Sequence, residues 1–548
     1  MRFPRNIISL LGLAAVCIFA ATSAVATPRW IHFSSEHFEM YSCTNERQSR
    51  EMLVELEQFR VVFRRLFLSN NAYEKKVRIF VFDTQSQFQQ YAPLYNGKPN
   101  KHTGYFFPGP LGSVIAYANT EVEQGLHAIF HEYVHFLVDA EGSTPPTFFN
   151  EGLAEAYSTF KASGDEATIG NPVPYHISAL RQENFIPLGT LFTVKHDSPY
   201  YNESNKMSIF YAESWLVMHY LIFGQKSGSV TPMNMAKFFV LSDDPKISTE
   251  DACRQAFGLN FEQLQGNLED YLISGKFRQT IVKIPAKPFR DKITSRPATA
   301  EECEIELAGL LWRMRLSGDE DAARNQSFPA FASSPDSTWN DGNAAKIQLL
   351  ADKYPANPRP YEILAEIAFA KHDQDMALDC LRKAVARNSQ NPLIYAWLLR
   401  GLYAKSVLPF GYILPDDTCV EYRGYVDHAL ALAPNCLDAV QMLALVESQS
   451  QNMRIKLLNT AMHSLDGMSD DLRATTLLAL GMAYYRLKDY ESAETALREF
   501  EALPRTTPAL KQQADALRRH IDLATGKSPL PSGKQNRVQM SRGKIRLR

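Results

Sequence analysis

Two stretches of sequence decide the expected fold of the N-terminal half: His-Glu-Tyr-Val-His at positions 131–135 and Asn-Glu-Gly-Leu-Ala-Glu at positions 150–155. Histidines four residues apart project from the same face of a helix, so both imidazoles can bind one metal ion. The pattern predicts that this ion is zinc. Glu132 lies between the histidines, where it can take a proton from a water molecule at an open coordination position.

A third protein ligand is needed, because catalytic zinc sites use three protein ligands and keep a fourth position for water. Pro145 and Pro146 predict that the first helix ends and that a second, antiparallel helix begins. Glu151 on that second helix can face the histidines and is the expected third ligand. Glu155, one turn later, is placed to accept a hydrogen bond from the free ring nitrogen of a ligand histidine.

With these residues the chain resembles the gluzincin metallopeptidases, the group of the thermolysin-like and aminopeptidase N-like enzymes. The resemblance implies that His131, His135 and Glu151 bind Zn²⁺ and that Glu132 is the general base. Glu155 matches the acidic outer-shell position of the thermolysin-like branch.

The likeness is strongest to bacterial MA-like peptidase domains, and it extends over about residues 30–280. It is carried by Trp-Ile-His-Phe at 30–33, His-Phe-Glu-Met-Tyr at 37–41 and Tyr-Ala-Glu-Ser-Trp at 211–215. The 15 residues between His135 and Glu151 are fewer than in the thermolysin-like and aminopeptidase N-like enzymes. The details of their clefts are therefore not transferred.

The first 26 residues predict where the protein acts. Arg2 and Arg5 precede an apolar run, and Ala24-Val25-Ala26 is a cleavage site of the A-x-A type, so residues 1–26 are expected to be a signal peptide cut after Ala26. The mature chain is then periplasmic or secreted, with no transmembrane segment. With 58 Lys and Arg against 60 Asp and Glu, nothing in the composition suggests a nucleic-acid partner.

Residues 27–280 are expected to form the zinc metallopeptidase-like domain. Strand patterns at 37–41, 77–82 and 113–118 and a helical pattern at 47–67 precede the zinc helix, and residues 148–275 are almost wholly helical in periodicity. The last strand before the zinc helix is a candidate for pairing with an extended substrate, the alternative being an ordinary buried strand. The candidate substrate-binding residues are Val114, Ile115, Ala116 and Tyr117.

A further catalytic group is expected, because an oxyanion develops opposite the zinc during amide hydrolysis. Tyr211 is the candidate for stabilising it, supported by the similar placement of a tyrosine in aminopeptidase N-like enzymes. His219, Tyr200 and Tyr201 are the next candidates.

The proline-bearing stretch 281–298 predicts a linker, after which the pattern is one helix pair after another. Residues 299–525 resemble a tetratricopeptide array, which binds peptides or partner proteins in a concave groove. The matches to its template are Tyr361, Leu364, Ala365, Ala368, Ala377, Leu381 and Ala384, and again Leu477, Leu480, Gly481, Tyr484, Ala493 and Leu497. Residues 526–548 are a basic tail that is expected to be disordered.

The sequence therefore predicts an α+β metallopeptidase domain of the gluzincin type, followed by an all-α tetratricopeptide-type helical array. The expected function is zinc-dependent hydrolysis of amide bonds, with the repeats recruiting a protein partner or substrate. Two alternatives stay open: a non-catalytic envelope scaffold that binds through its repeats, and a zinc hydrolase of a non-peptide envelope amide. The linker further predicts that residues 27–290 fold alone.

Overall fold

The computed structural model describes residues 29–527, except for the segments 68–75, 96–97, 100–103, 108, 110, 120–121, 141–144, 196–197, 203, 225–229, 243, 245, 285–288, 317–336, 406–411, 466–467 and 504–505. The predicted signal peptide and residues 528–548 of the predicted tail lie outside the described residues. Within the part that is described, no helix is both long and apolar enough to cross a membrane.

Strands of the N-terminal domain form one large sheet and two small ones. In chain order the strands are β1 (Ile31–Ser34), β2 (Phe38–Ser42), β3 (Val77–Phe82), β4 (Leu94–Tyr95), β5 (Lys98–Pro99), β6 (Gly104–Phe107), β7 (Val114–Ala118), β8 (Lys161–Ser163), β9 (Glu166–Ile169), β10 (Thr280–Lys283) and β11 (Thr294–Pro297). The large sheet has the order β11-β1-β2-β3-β7-β6, in which β2, β3 and β7 are parallel and the other neighbours are antiparallel. The small sheets have the orders β10-β9-β8 and β4-β5.

Helices of this domain pack mainly on one face of the large sheet and beyond it. They are α1 (Glu46–Phe67), α2 (Gln85–Gln89), α3 (Val122–Ala140), α4 (Thr147–Tyr157), α5 (Pro174–Gln182), α6 (Leu188–Leu191), α7 (Pro199–Asn202), α8 (Ser204–His219), α9 (Pro232–Ser242), α10 (Thr249–Phe257) and α11 (Phe261–Ser274). The most extensive packing between two of them joins α4 to α8, and α3 packs against α4, β6 and β7. The α+β domain is therefore as expected, except that β8 and β9 interrupt the stretch 148–275 that was predicted to be helical.

The predicted substrate-binding strand is internal to the large sheet. Its backbone, Val114–Ala118, pairs with β3 on one side and with β6 on the other. Because both edges are already hydrogen-bonded, an extended substrate cannot add to this strand. The assignment of Val114, Ile115, Ala116 and Tyr117 to substrate binding is therefore wrong, and the edge strand on this side of the sheet is β6.

The predicted linker is also wrong, because the described parts of this segment, residues 281–284 and 289–298, belong to the folded domain. Most of β10 lies in it and pairs with β9, and β11 lies in it and extends the large sheet beside β1. The sequence suggested a linker because three prolines fall in this segment, but Pro297 is tolerated at the last position of an edge strand.

Beyond β11 the described chain is an array of packed helices. They are α12 (Ala300–Leu316), α13 (Ser337–Lys353), α14 (Arg359–Ala370), α15 (Gln374–Ala386), α16 (Pro392–Lys405), α17 (Asp416–Leu432), α18 (Leu437–Ser448), α19 (Ile455–His463), α20 (Asp470–Arg486), α21 (Tyr490–Glu501) and α22 (Pro508–Thr525). Each helix packs against the next, and α16, α18, α20 and α22 also contact one another in succession. The predicted helical array is thus confirmed as a stack of helix pairs.

The two stretches that match the tetratricopeptide template share one turn geometry. His372 and Lys488 both adopt left-handed backbone conformations, with φ of 57° and 63°. Asp373 and Asp489 follow them and cap the second helix of each pair by accepting a hydrogen bond from the backbone N–H three residues later. The same chain reversal at equivalent positions is what a repeated helix pair requires.

The array packs directly against the large sheet and is not joined to it only by a linker. Leu310 and Met314 of α12 lie in one apolar cluster with Phe80 and Ala116 of the sheet. Leu111, which lies between β6 and β7, in turn places its side chain in the main apolar cluster of the array. A shared core of this kind predicts that the two halves do not fold as independent units.

Buried polar contacts reinforce this interface. The guanidinium of Arg313 on α12 contacts the Glu366 carboxylate of α14 and donates a hydrogen bond of 2.8 Å to the carbonyl of Gly112. Asn391 donates a bond of 2.9 Å to the neighbouring carbonyl of Leu111. Two consecutive carbonyls of the β6–β7 turn are therefore held by the array.

Candidate metal centre

Three predicted ligands converge between α3 and α4. The Nε2 atoms of His131 and His135 are 3.1 Å apart, and Oε2 of Glu151 lies 3.2 Å from the first and 3.4 Å from the second. All three side chains are buried. Among the described residues, this is the group of three ligand-type side chains whose donor atoms lie within 4.8 Å of one another.

The dimensions of this triangle fit a tetrahedral zinc ion. Zinc–nitrogen and zinc–oxygen distances of about 2.0–2.2 Å in a tetrahedron place neighbouring donor atoms about 3.3–3.6 Å apart. The observed separations of 3.1, 3.2 and 3.4 Å lie in this range or within about 0.2 Å of it. Two imidazoles and one carboxylate are also a donor set found in catalytic zinc sites, with a fourth position left for water.

Gly152 explains how α4 can hold Glu151 at this point. A Cβ atom at Gly152 would lie 2.2 Å from the backbone oxygen of Ser214 and 2.6 Å from the side chain of Met218. Only glycine therefore allows α4 and α8 to approach this closely. The glycine of the second motif thus has a packing function, whereas the residue before it is the predicted ligand.

Glu155 lies where the sequence predicts an outer-shell carboxylate. Its Oε1 is 3.2 Å from Nδ1 of His131, on the opposite side of the ring from the donor triangle. A proton on Nδ1 leaves Nε2 of His131 with its lone pair directed at the metal position. Nδ1 of His135 is buried and has no hydrogen-bond partner among the described residues, so the two ligand rings are held differently.

The electrostatics of the centre favour a positive charge. Burial alone would lower the pKa of His131, but hydrogen bonds and charges from Glu151 and Glu155 raise it to about 10. Burial opposes ionisation of Glu155, yet the nearby His176 and His131 hold the pKa of its carboxyl well below its usual range. The negative potential of the two buried carboxylates, Glu151 and Glu155, also favours a metal cation at these atoms, where it would displace the proton.

The two predicted catalytic residues lie on different helices near this triangle. Glu132 is buried on α3, in the same turn as His131. Tyr211 lies on α8, with its ring centroid 6.3 Å from that of the His131 imidazole. The structure therefore brings Tyr211 to the centre, and its part in catalysis stays a prediction.

The other candidates for stabilising the oxyanion are His219, Tyr200 and Tyr201. His219 is fully buried, with Nε2 2.9 Å from the carbonyl of Gly170 and Nδ1 3.1 Å from the hydroxyl of Tyr271. Both ring nitrogens are thus engaged in the core, which removes His219 as a candidate. Tyr200 packs against the apolar core, and the side chain of Tyr201 lies outside the described residues.

Sequence reasoning missed two of the residues that surround Glu155, Tyr175 and His176. His176 lies 2.9 Å from Oε2 of Glu155, and the hydroxyl of Tyr175 lies 3.4 Å from the same oxygen. His127 hydrogen-bonds with the hydroxyl of Ser158 at 2.8 Å and lies 3.7 Å from Glu155. Nothing in the spacing of Tyr175 and His176 marks them, because α5 reaches Glu155 only through the packing of the helices. His127 lies four residues before His131 on α3, and this spacing predicts a neighbour of the expected ligands.

No protein-family model matches the chain, and the comparison with curated proteins gives no match. Among solved structures it is similar to a thermophilic tetratricopeptide-repeat protein of Thermus thermophilus, with 14% identity, over 33% of this chain and 90% of that one. The TM-score of 0.22 is too low to establish a shared fold. The comparison of the C-terminal half with tetratricopeptide repeats therefore depends on its own helix pairs and turns.

Proposed function

We propose that the N-terminal domain is a zinc-dependent peptidase that hydrolyses amide bonds in the manner of the gluzincins. The observation that carries this proposal is the buried triangle of His131, His135 and Glu151, whose sides match the spacing of donors around tetrahedral zinc. When bound, the ion supplies Lewis-acid chemistry, polarising a carbonyl oxygen and lowering the pKa of water at the site.

The protein side chains supply proton transfer and orientation. Glu132 is proposed to accept the proton of the attacking water on its carboxylate and to deliver it to the nitrogen of the leaving amine. Tyr211 is proposed to donate a hydrogen bond from its hydroxyl to the oxyanion, a position supported by its ring lying beside that of His131. Glu155 keeps His131 in the tautomer that leaves Nε2 free for the metal.

The test of the enzymatic proposal separates metal binding from hydrolysis. Glu132→Gln should keep its zinc, because Glu132 is not a ligand, but lose most cleavage of a diverse peptide library, because an amide cannot accept the proton. Glu269→Gln, an exposed change on α11, is the matched control and should cleave like the wild type. A zinc-loaded wild type that cleaves no peptide would contradict the proposal and favour a scaffold or a non-peptide substrate.

We also propose that the array binds a protein partner or the substrate itself. Its stack of helix pairs supports this, because such arrays bury their apolar faces between neighbours and leave a continuous surface for extended ligands. The signal sequence supports a periplasmic or secreted location. A pull-down from envelope extract with the tagged full mature chain tests the proposal, and the expected result is a captured protein that an excess of the untagged mature chain displaces.

A further inference from the structure

A single carboxylate lies between two histidine rings beside the metal centre. Oε1 of Glu155 is 3.2 Å from Nδ1 of His131, and Oε2 is 2.9 Å from Nε2 of His176. All three side chains are buried. Each oxygen of the carboxylate is thus matched to one ring, so that rotation of the carboxylate would break both contacts.

His176 is held in place by an element that contributes no ligand. It lies on α5, which packs against α8, and its ring centroid is 5.7 Å from that of the fully buried Trp215. Tyr175 lies beside it, with ring centroids 4.4 Å apart. The position of His176 is therefore fixed by the packing of α5 on α8 rather than by α3 or α4, which carry the donor triangle.

We propose that His176 is a positioning residue of the metal centre, which fixes Glu155 and through it the ring of His131. This inference rests on the proposed zinc site. Without His176, Oε2 of Glu155 keeps only the longer contacts with the Tyr175 hydroxyl at 3.4 Å and with His127 at 3.7 Å. The carboxylate is then held less firmly, and the hydrogen bond that orients the ligand imidazole weakens. Among the described residues, three side chains have donor atoms close enough to share an ion, and His176 is not one of them. His176 therefore acts through Glu155 rather than as a fourth ligand.

The experiment measures zinc affinity in the full mature chain by competition with a chromophoric chelator. His176→Leu should weaken zinc binding by about 10-fold or more, because loss of outer-shell partners costs about 10–100-fold in metal affinity. His176→Gln should bind zinc nearly as the wild type, because its amide N–H can replace Nε2 as the donor to Glu155. The absorption spectrum of the cobalt-loaded chain should change in His176→Leu and not in His176→Gln.

His37→Leu is the matched control, because it removes another histidine–glutamate contact of the same domain. Nδ1 of His37 lies 2.8 Å from Oε2 of the buried Glu57, and neither belongs to the metal centre. His37→Leu should lower the thermal unfolding temperature and leave zinc affinity unchanged. Weaker zinc binding in both leucine variants would instead indicate a general effect of losing a buried polar contact. That result would overturn the inference.

Wild-type zinc affinity and an unchanged cobalt spectrum in His176→Leu would also overturn it. If His176→Leu does not fold, His176→Asn takes its place, since the shorter amide cannot span the gap that glutamine spans. Equal zinc affinities of the asparagine and glutamine variants would then count against the inference. A wild type that binds no zinc would reject the proposed function, and this inference with it, whereas unchanged binding in the variants rejects the inference alone.

Discussion

The two faces of the large sheet are buried by parts of the chain that lie far apart in sequence. On one face, Ile79 and Tyr117 pack into the core that contains α1 and α3. On the other face, Phe80 and Ala116 pack against Leu310 and Met314 of α12. The candidate metal centre lies on the side of the first face, between α3 and α4, and the array packs against the second face, so the sheet lies between them. A strand buried on both faces therefore ties the candidate active site to the repeats.

Truncation should have the largest effect on this arrangement. A chain that ends after residue 290 lacks β11 and all of α12, so it exposes the edge of β1 and the aromatic face of the sheet. We expect it to be insoluble or unfolded, contrary to the expectation from the sequence that it folds alone. A chain that ends after residue 450 keeps this interface and should remain soluble. Thermal unfolding of both chains is the measurement, and a cooperative, soluble shorter chain would contradict the shared core.

Arg313→Met should show how strongly the array is held. The substitution leaves the buried Glu366 carboxylate without its guanidinium partner and frees the carbonyl of Gly112. Breaking one side of a buried ion pair costs about 3–5 kcal/mol. Urea unfolding should show that loss, and the double variant with Glu366→Gln should recover part of it. A loss below about 1 kcal/mol would mean that the interface pair is solvated.

On the other face, Gly152→Ala tests the close approach of α4 and α8. The added methyl group would overlap the backbone oxygen of Ser214, so we expect a loss of about 1–3 kcal/mol in the free energy of unfolding and weaker zinc binding as Glu151 shifts. Gly266→Ala on α11, where a Cβ meets nothing within 4 Å, is the control and should be stabilising by about 0.5–1 kcal/mol. Equal effects at both positions would contradict the close crossing of these two helices.

Glu213 on α8 predicts a change of stability with pH. Burial raises its pKa to about 8 from the usual 4.5, although the backbone N–H of Ile186 donates a bond to it. Between these values the unfolded chain releases the proton while the folded chain keeps it, so stability should fall as pH rises from about 4.5 to 8. Glu213→Gln should flatten that slope in unfolding curves measured across this range of pH. An equal slope in the variant would assign it to other groups.

The sequence predicted the centre better than its surroundings, for a physical reason. His131, His135 and Glu151 follow from helical spacing and a proline break, which are local properties. The runs Val77–Phe82 and Val114–Ala118 are largely apolar, which is typical of strands buried on both faces, but no local pattern says that α12 supplies the second layer. Three further features likewise depend on packing between residues that lie far apart in sequence. They are the internal position of β7, the strand β11 in the predicted linker, and the contact of His176 with Glu155.

Zinc content and affinity of the full mature chain test the central claim most directly. Elemental analysis should find one zinc per chain in the wild type and in Glu132→Gln. Alanine variants of His131, His135 and Glu151 should each lose the ion, because each removes one side of the donor triangle. Retention of one tightly bound zinc in all three alanine variants, or no zinc in the wild type after loading, would contradict the assignment of this site.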